Sequence, residues 1–289
     1  MSESILADFV GRFMVNTHPD ADLEPGRVLM NQSQLLLVAE DDRMKIPLED
    51  VFDVNVGTVP NEISDFFGHP VTIGFTYLGD RHVAVITAER EEIQDFTGSL
   101  FKAILDRTTA WVKHPARIGG RVTDSSPETA SLLLGNRRLQ FVDLDDPIEI
   151  DLETITHFER AQRSVRGQTR SILRVRHMVE ASSVTTETLV ENERKMSLLG
   201  RYLRLEYREL MEEVRDMDLG DGEMELLVAL YSGGSDADLA RMLGESTNTI
   251  TMRLNDLSEK GLITDGGSNT ELTPRGRLFV GQEIEAVNN

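Results

Sequence analysis

The chain has 289 residues, 39% of them hydrophobic, enough for two or three domains that each bury a core. It carries 50 acidic against 30 basic side chains, net −20, and no cysteine, which excludes a disulfide framework, a thiol nucleophile and a thiolate metal site. No apolar run approaches the ~18 residues of a membrane span, and MSESILADF lacks the charged-then-apolar layout of a secretory signal, so a cytoplasmic location is expected.

The cations are 25 Arg and only 5 Lys, and the acids spread along every segment. That composition fits a proteome adapted to molar salt, where net charge keeps the surface solvated and says little about partners. Residues 1–114 hold 9 basic and 19 acidic side chains, residues 115–220 hold 16 and 19, and residues 221–289 hold 5 and 12. The middle third departs from the rest.

Along the first 114 residues the pattern is strand-rich. LLLVAEDDRMKIPLEDVFDV, from Leu35, predicts an alternating strand, a Leu-Glu turn and a further apolar strand. VTIGFTYLGDRHVAVITA predicts two strands around a Gly-Asp turn. Ile93, Phe96, Leu100 and Ile104 then share one face of a helix. The join HPDADLEPG is acidic, which argues against a phosphoinositide pocket there.

Residues 115–217 repeat the arrangement, and such a repeat outranks any single motif. Met44 to Val51 aligns with Ile148 to Ile155, sharing the Leu-Glu turn. SILRVRHMVEASSVTTETLV predicts a second strand pair with a longer polar join. A helix from about Glu191 to Asp216 follows, with Met196, Leu199, Leu203, Leu210 and Val214 on one face. It is longer than its unit requires, so Tyr207, Leu210 and Met211 are expected to pack on another domain or a second chain. Short antiparallel strands closed by one helix, twice over, resemble tandem pleckstrin-homology-like or GRAM-like barrels in an α+β chain.

Within this second unit RAQRSVRGQTRSILRVRH holds Arg160, Arg163, Arg166, Arg170, Arg174 and Arg176, with no acid from Arg160 to Val179. Two readings stand. It is a solvated hairpin paired with acids of its own domain, or a docking loop ahead of a strand, its guanidinium forks set for a carboxylate or phosphate partner.

After Gly220-Asp221-Gly222 the pattern becomes helical. EMELLVALYSGG is one helix; SDADLARMLGE, capped by Ser235 with Asp238 in its first turn, is the next. A third begins at Ser246 or Thr247, buries Ile250, Leu254 and Leu257, and stops at Gly261. LITDGGSNTELT predicts two short strands around a glycine turn, and Pro274 opens a last helix. That order is a winged helix-turn-helix over 221–289. Fold does not set function: the third helix exposes Thr251, Met252, Asn255 and Asp256, and only Arg253 and Lys260 are basic. DNA affinity rests on clustered cations at phosphates, so a protein-docking use, with no nucleic acid, is expected.

Catalytic signatures are missing. There is no phosphate-binding Gly-rich loop ending in Lys-Ser/Thr and no nucleophile elbow. DMDLGDGEMELL begins like a calcium loop, but its glycine falls at the seventh position and Leu227 stands where a bidentate glutamate belongs. His18, His69, His82, His114, His157 and His177 show no metal-ligand spacing and read as structural, with no cofactor expected.

Together, the strand-rich units carrying LLLVAEDDRMKIPLEDVFDV and PIEIDLETITHFERA, the winged-helix tail and the haloarchaeal composition resemble the CheF family of archaeal chemotaxis adaptors. The resemblance covers essentially the whole chain. It implies a non-enzymatic adaptor that links the phosphorylated response regulator CheY to accessory proteins of the archaellum. It also implies association with CheC- and CheD-type proteins, and a homodimer with the long second helix as interface. The alternative is a winged-helix transcription regulator with an N-terminal sensor module. Arg160, Arg163, Arg166, Arg170 and Arg174, with Thr251, Met252, Asn255 and Asp256, are the candidate partner-binding residues.

Overall fold

The computed structural model describes residues 4–15, 23–57, 70–165, 167–179, 182–190, 192–232, 236–264 and 270–287. The first unit has seven antiparallel strands: β1 (Ile5–Val15), β2 (Glu24–Asn31), β3 (Gln34–Val38), β4 (Arg43–Pro47), β5 (Val51–Val56), β6 (Val71–Tyr77) and β7 (Asp80–Thr87). They lie in the order β4-β3-β2-β1-β7-β6-β5 and are followed by helix α1 (Arg90–Leu105). The hairpin between β6 and β7 turns on Leu78-Gly79, whose φ values of 51° and 90° suit a two-residue turn with the strands' own twist. The acidic join at HPDADLEPG falls largely outside the described residues.

The second unit comprises β8 (Thr108–Ile118), β9 (Arg121–Val122), β10 (Glu128–Gly135), β11 (Arg138–Val142), β12 (Ile148–Asp151), β13 (Ile155–Val165), β14 (Gln168–Val179) and β15 (Ser182–Val190), then α2 (Glu193–Arg215). Its order is β12-β11-β10-β8-β15-β14-β13, with β9 added on β8. Apart from β9, this is the path of the first unit. The agreement reaches single bonds. Leu48 and Leu152 are both buried at the start of a 3-10 turn, and their amides donate to Ser33 and Arg137 carbonyls, each at 2.9 Å. Each following strand carries a register shift at its start, between Val51 and Asp53 and between Ile155 and His157. Because β8 begins at Thr108, a boundary at 114 falls inside a strand of the second sheet; the first unit ends with α1.

Both sheets share one hydrophobic core. Ile93, Phe96, Leu100 and Ile104 of α1 are buried, as are Met196, Leu199, Leu203 and Leu210 of α2, while the side chain of Val214 lies outside those described. Each helix reaches into the other unit, α1 onto β10 and α2 onto β5, and their rings meet at Phe101 and Tyr202, 5.7 Å apart. The surplus length of α2 is used within the chain. Tyr207 meets the edge of Phe158 at 5.9 Å, and the helix packs on the C-terminal helix of the tail.

The tail follows the expected order: α3 (Asp221–Tyr231), α4 (Asp236–Leu243), α5 (Thr247–Glu259), the paired strands β16 (Ile263–Thr264) and β17 (Glu271–Leu272), and α6 (Pro274–Val287). It has its own core around Leu226, Leu239, Ile250, Leu257 and Val280. The expected cap Ser235, the side chain of Asp238 in the first turn of α4, and most of the TDGGSN turn lie outside the described residues. At Gly276 of α6 a methyl group would be driven into the backbone carbonyl of Leu262. Gly276→Ala is therefore expected to destabilise the tail by about 2 kcal/mol, as overpacking does. Chemical denaturation followed in the tail checks this.

Candidate interaction surfaces

The arginine segment forms a hairpin of two long strands and not a loop ahead of one. Arg160 and Arg163 lie on β13, Arg170 and Arg174 on β14, and Arg163 is paired across the strands with Arg170; Arg166 lies outside the described residues. Arg163 and Arg174 are engaged within the fold. Arg163 donates to both oxygens of Glu187 at 3.1 and 3.0 Å, and Arg174 donates to Glu187 at 3.2 Å and to Glu159 at 2.6 Å. Arg160 and Arg170 are exposed, with bonds to Ser197 and Gln168.

Strand registry explains the pairing. Glu159 sits opposite Arg174, Arg174 opposite Glu187, and Glu187 opposite Lys113, so four neighbouring strands present alternating charges in one row. Directly opposed unlike charges stabilise a sheet face. At the tip of the hairpin Val165, Gln168 and Arg170 line a cleft of about 390 Å³ with Thr109, Trp111 and Leu189. The side chain of Glu187 is 1% exposed. Burial works to raise its carboxyl, but Arg163 and then Arg174 outweigh this and hold it below its ordinary range.

Sequence reasoning missed Glu187. Its signal was an acid in the middle of SSVTTETLV, a strand otherwise of threonine, serine and aliphatic residues, close in the chain to six arginines. It also missed a histidine pair on the opposite face. His114 and His177 stack with centroids 5.8 Å apart, and both hydrogen-bond the Thr186 hydroxyl, at 2.7 and 3.1 Å.

On the tail, Ser246 caps α5 by accepting from the Thr249 amide at 3.2 Å. Ile250 and Leu257 are buried and Leu254 half-buried, so Thr251, Met252, Asn255 and Asp256 are left exposed together on the outer side. Both cations of this segment are engaged. Arg253 lies over Gly222 and pairs with Glu245 at 3.2 Å, while Lys260 donates to both oxygens of Glu223 at 2.7 and 2.9 Å and to the Asp218 carbonyl. Burial disfavours the Glu223 charge, yet Lys260 and the Gly220 amide hold its carboxyl below the ordinary range.

The tail is tied to the second unit by Glu213 of α2, which pairs with Arg275 of α6 at 3.2 Å and with Arg137 of the turn between β10 and β11. Among the described residues no three His, Asp or Glu side chains converge as metal ligands, and no helix is long and apolar enough to cross a membrane.

Residues 5–209 match the family described as Archaeal Chemotaxis signal transduction system protein F, and residues 218–285 match a domain family of unknown function. The chain is 44% identical over 288 residues to Taxis protein CheF2 of Halobacterium salinarum, covering 100% of both. It is 25% identical over 291 residues to Taxis protein CheF1 of the same organism, covering 98% of each.

Proposed function

The chain belongs to the archaeal chemotaxis signal transduction protein F family, and from that premise we propose that it is a non-enzymatic cytoplasmic adaptor. In this reading it joins phosphorylated CheY to the accessory proteins of the archaellum and so controls rotational switching. CheC- and CheD-type proteins are further partners, and the chain works as a homodimer with the long helix α2 at its interface. The two strand-rich units act as pleckstrin-homology-like scaffolds toward the motor, and the tail is a winged helix-turn-helix used to dock a protein.

One observation carries the assignment of the tail. The two cations of its third helical segment are held by Glu245 and Glu223, so they are spent on the domain's own acids. What α5 offers to a partner is Thr251, Met252, Asn255 and Asp256. That surface has no clustered cations for phosphate contacts, whereas an exposed methionine among small polar groups gives an adaptable protein contact.

Met252→Asp is the test. Met252 is 57% exposed, so the substitution leaves stability nearly unchanged, and binding of phosphorylated CheY in molar potassium chloride is expected to fall at least about tenfold. Binding of the motor-side proteins stays intact. Undiminished CheY binding overturns the assignment, and specific retention of DNA by the wild-type chain favours the transcription regulator instead.

A further inference from the structure

The two units follow one path, yet their corresponding outer faces differ. On the first sheet Val28, Met30, Leu35, Leu37 and Ile46 point into the core. The residues between them point outward, and registry sets them in rows. Leu29 lies opposite Leu36 and Leu36 opposite Lys45; Arg27 lies opposite Val38 and Val38 opposite Arg43. β1 extends the rows with Val10, which is 73% exposed, and with Asp8, which pairs with Arg27 at 2.7 Å. Among the described residues the packing neighbours of β3 are β2 and β4, and that of β4 is β3.

Leu36 and Val38 form an apolar line along β3, with Leu29 beside it, and all three are half-buried. Lys45 and Arg43 form a cationic line along β4, the last strand of the sheet, and both are exposed. The two lines run side by side, about 5 Å apart as paired strands are. Neither the Arg43 nor the Lys45 side chain makes a hydrogen bond or ion pair among the described residues, although Glu40, Asp41 and Asp42 close the turn beside Arg43.

The second unit supplies the comparison. Lys45 aligns with Glu149, and Leu36, opposite Lys45, corresponds to Gln140, opposite Glu149. Glu149 accepts from Arg138 at 2.7 Å and from Gln140 at 2.6 Å, so that face satisfies itself. The same frame therefore stands without an outward leucine and without free cations. Their presence in the first unit is not a demand of the fold.

We infer that the outer face of β2, β3 and β4 docks a partner protein through an amphipathic helix whose apolar stripe is flanked by carboxylates. A helix presents two such stripes side by side, whereas an extended segment sends alternate side chains to opposite sides. Arg43 and Lys45, two residues apart on a strand, stand about 7 Å from each other. Carboxylates four residues apart on a helix are spaced by about 6 Å. At molar salt the screening length is about 3 Å, so these cations recognise carboxylates only in contact, a task suited to the arginine fork. A second copy of this chain does not fit, because a two-fold axis along β4 sets like charges against each other. Two free cations are also too few for an anionic membrane, which is held by clusters of about four or more. Docking of this kind rests on the adaptor reading and places one partner on the first unit alone.

The experiment uses the full-length chain in molar potassium chloride and a fluorescein-labelled peptide of leucine, alanine and glutamate. Its leucines follow helical spacing and its glutamates fill the adjoining stripe; anisotropy reads binding. Wild type is expected to bind it, and to bind a shuffled peptide of the same composition at least about tenfold more weakly. Leu36→Gln/Lys45→Glu carries the pair that the second unit holds at these positions, so the thermal midpoint stays close to wild type. Its affinity for the peptide is expected to fall at least about tenfold. Lys45→Ser, a smaller change at an exposed site, is expected to fall in between. Arg138→Ser, on the corresponding face of the second unit, binds like wild type. The inference is overturned if wild type does not bind, if it binds the shuffled peptide equally, if Leu36→Gln/Lys45→Glu binds undiminished, or if Arg138→Ser weakens binding as much. Sedimentation with phosphatidylglycerol vesicles in the same salt is the last arm. Wild type is expected to stay in solution, and pelleting that Leu36→Gln/Lys45→Glu abolishes assigns the face to lipid instead. Failure of wild type to bind phosphorylated CheY counts against the adaptor reading, whereas the peptide result alone decides the face.

Discussion

Glu187→Gln is expected to destabilise the fold by about 4 kcal/mol, the cost of breaking a buried charge pair from one side. Glu187 is the shared acceptor for Arg163 and Arg174, and its side chain is only 1% exposed. A neutral amide keeps the shape but leaves Arg163 without a counter-charge and Arg174, four-fifths enclosed, with Glu159 alone. Partial exposure of Arg163, 41% at the side chain, relieves some of this and keeps the loss from being larger. Arg163→Ser removes one partner of two and costs less, since Arg174 still answers the carboxylate. Denaturant unfolding of the three proteins in molar salt tests the order; a Glu187→Gln variant within 1 kcal/mol of wild type would show the network to be idle. Truncating Arg163 together with Arg170 thus perturbs the sheet as well as any surface contact, and loss of partner binding by such a variant is interpretable only beside its stability.

The second large effect is a dependence on pH that centres on His177. Burial first, and then the neighbouring charge of His114, pushes its imidazole down from 6.5 to about 4, and burial lowers His114 as well. The unfolded chain takes up a proton below about 6.5 that the folded chain refuses until about 4. The unfolded state therefore binds more protons across that window, and stability falls as the pH drops through it. The loss attributable to His177 is on the order of 3 kcal/mol at the low end. His177→Gln retains a group able to bond the Thr186 hydroxyl but cannot titrate, so its stability is expected to change less between pH 6.5 and 4. A variant whose curve parallels wild type across the window would remove His177 as the cause. Glu187 also makes stability depend on pH. Its carboxyl is held below its ordinary 4.5, so what it contributes is present above that value and disappears as the pH falls through its folded one.

Much of the local structure is legible in the residues themselves. Leucine-spaced faces marked both helices, and the buried side chains of α1 are those the 3.6-residue period selects. The Leu-Glu step announced the same 3-10 turn in each unit, because a buried leucine closes the turn in both. Ser246 and Pro274 marked helix starts through satisfied amides and a fixed φ, which are properties of single residues. The candidate surfaces were legible only in part. Exposure of Thr251, Met252, Asn255 and Asp256 follows from the helix period once its buried face is known. The arginine hairpin was one of two readings, but its partner Glu187 did not follow, because period-2 alternation places side chains on a face without saying which distant groups share it.

What the chain decides by itself is therefore the set of elements, their order, their doubling and the charge that pervades them, since each depends on neighbours within a few residues. What only the tertiary structure decides is which distant groups meet. The acid 24 residues from Arg163 became its partner because a strand registry set four charges in one row. The apolar face of α2 became internal because β5, α1 and α6 pack on it. Two histidines on strands of one sheet became a stacked pair through a single threonine hydroxyl. Such contacts are fixed by the closure of long loops around a common core, and that closure leaves no local mark on the residues it joins.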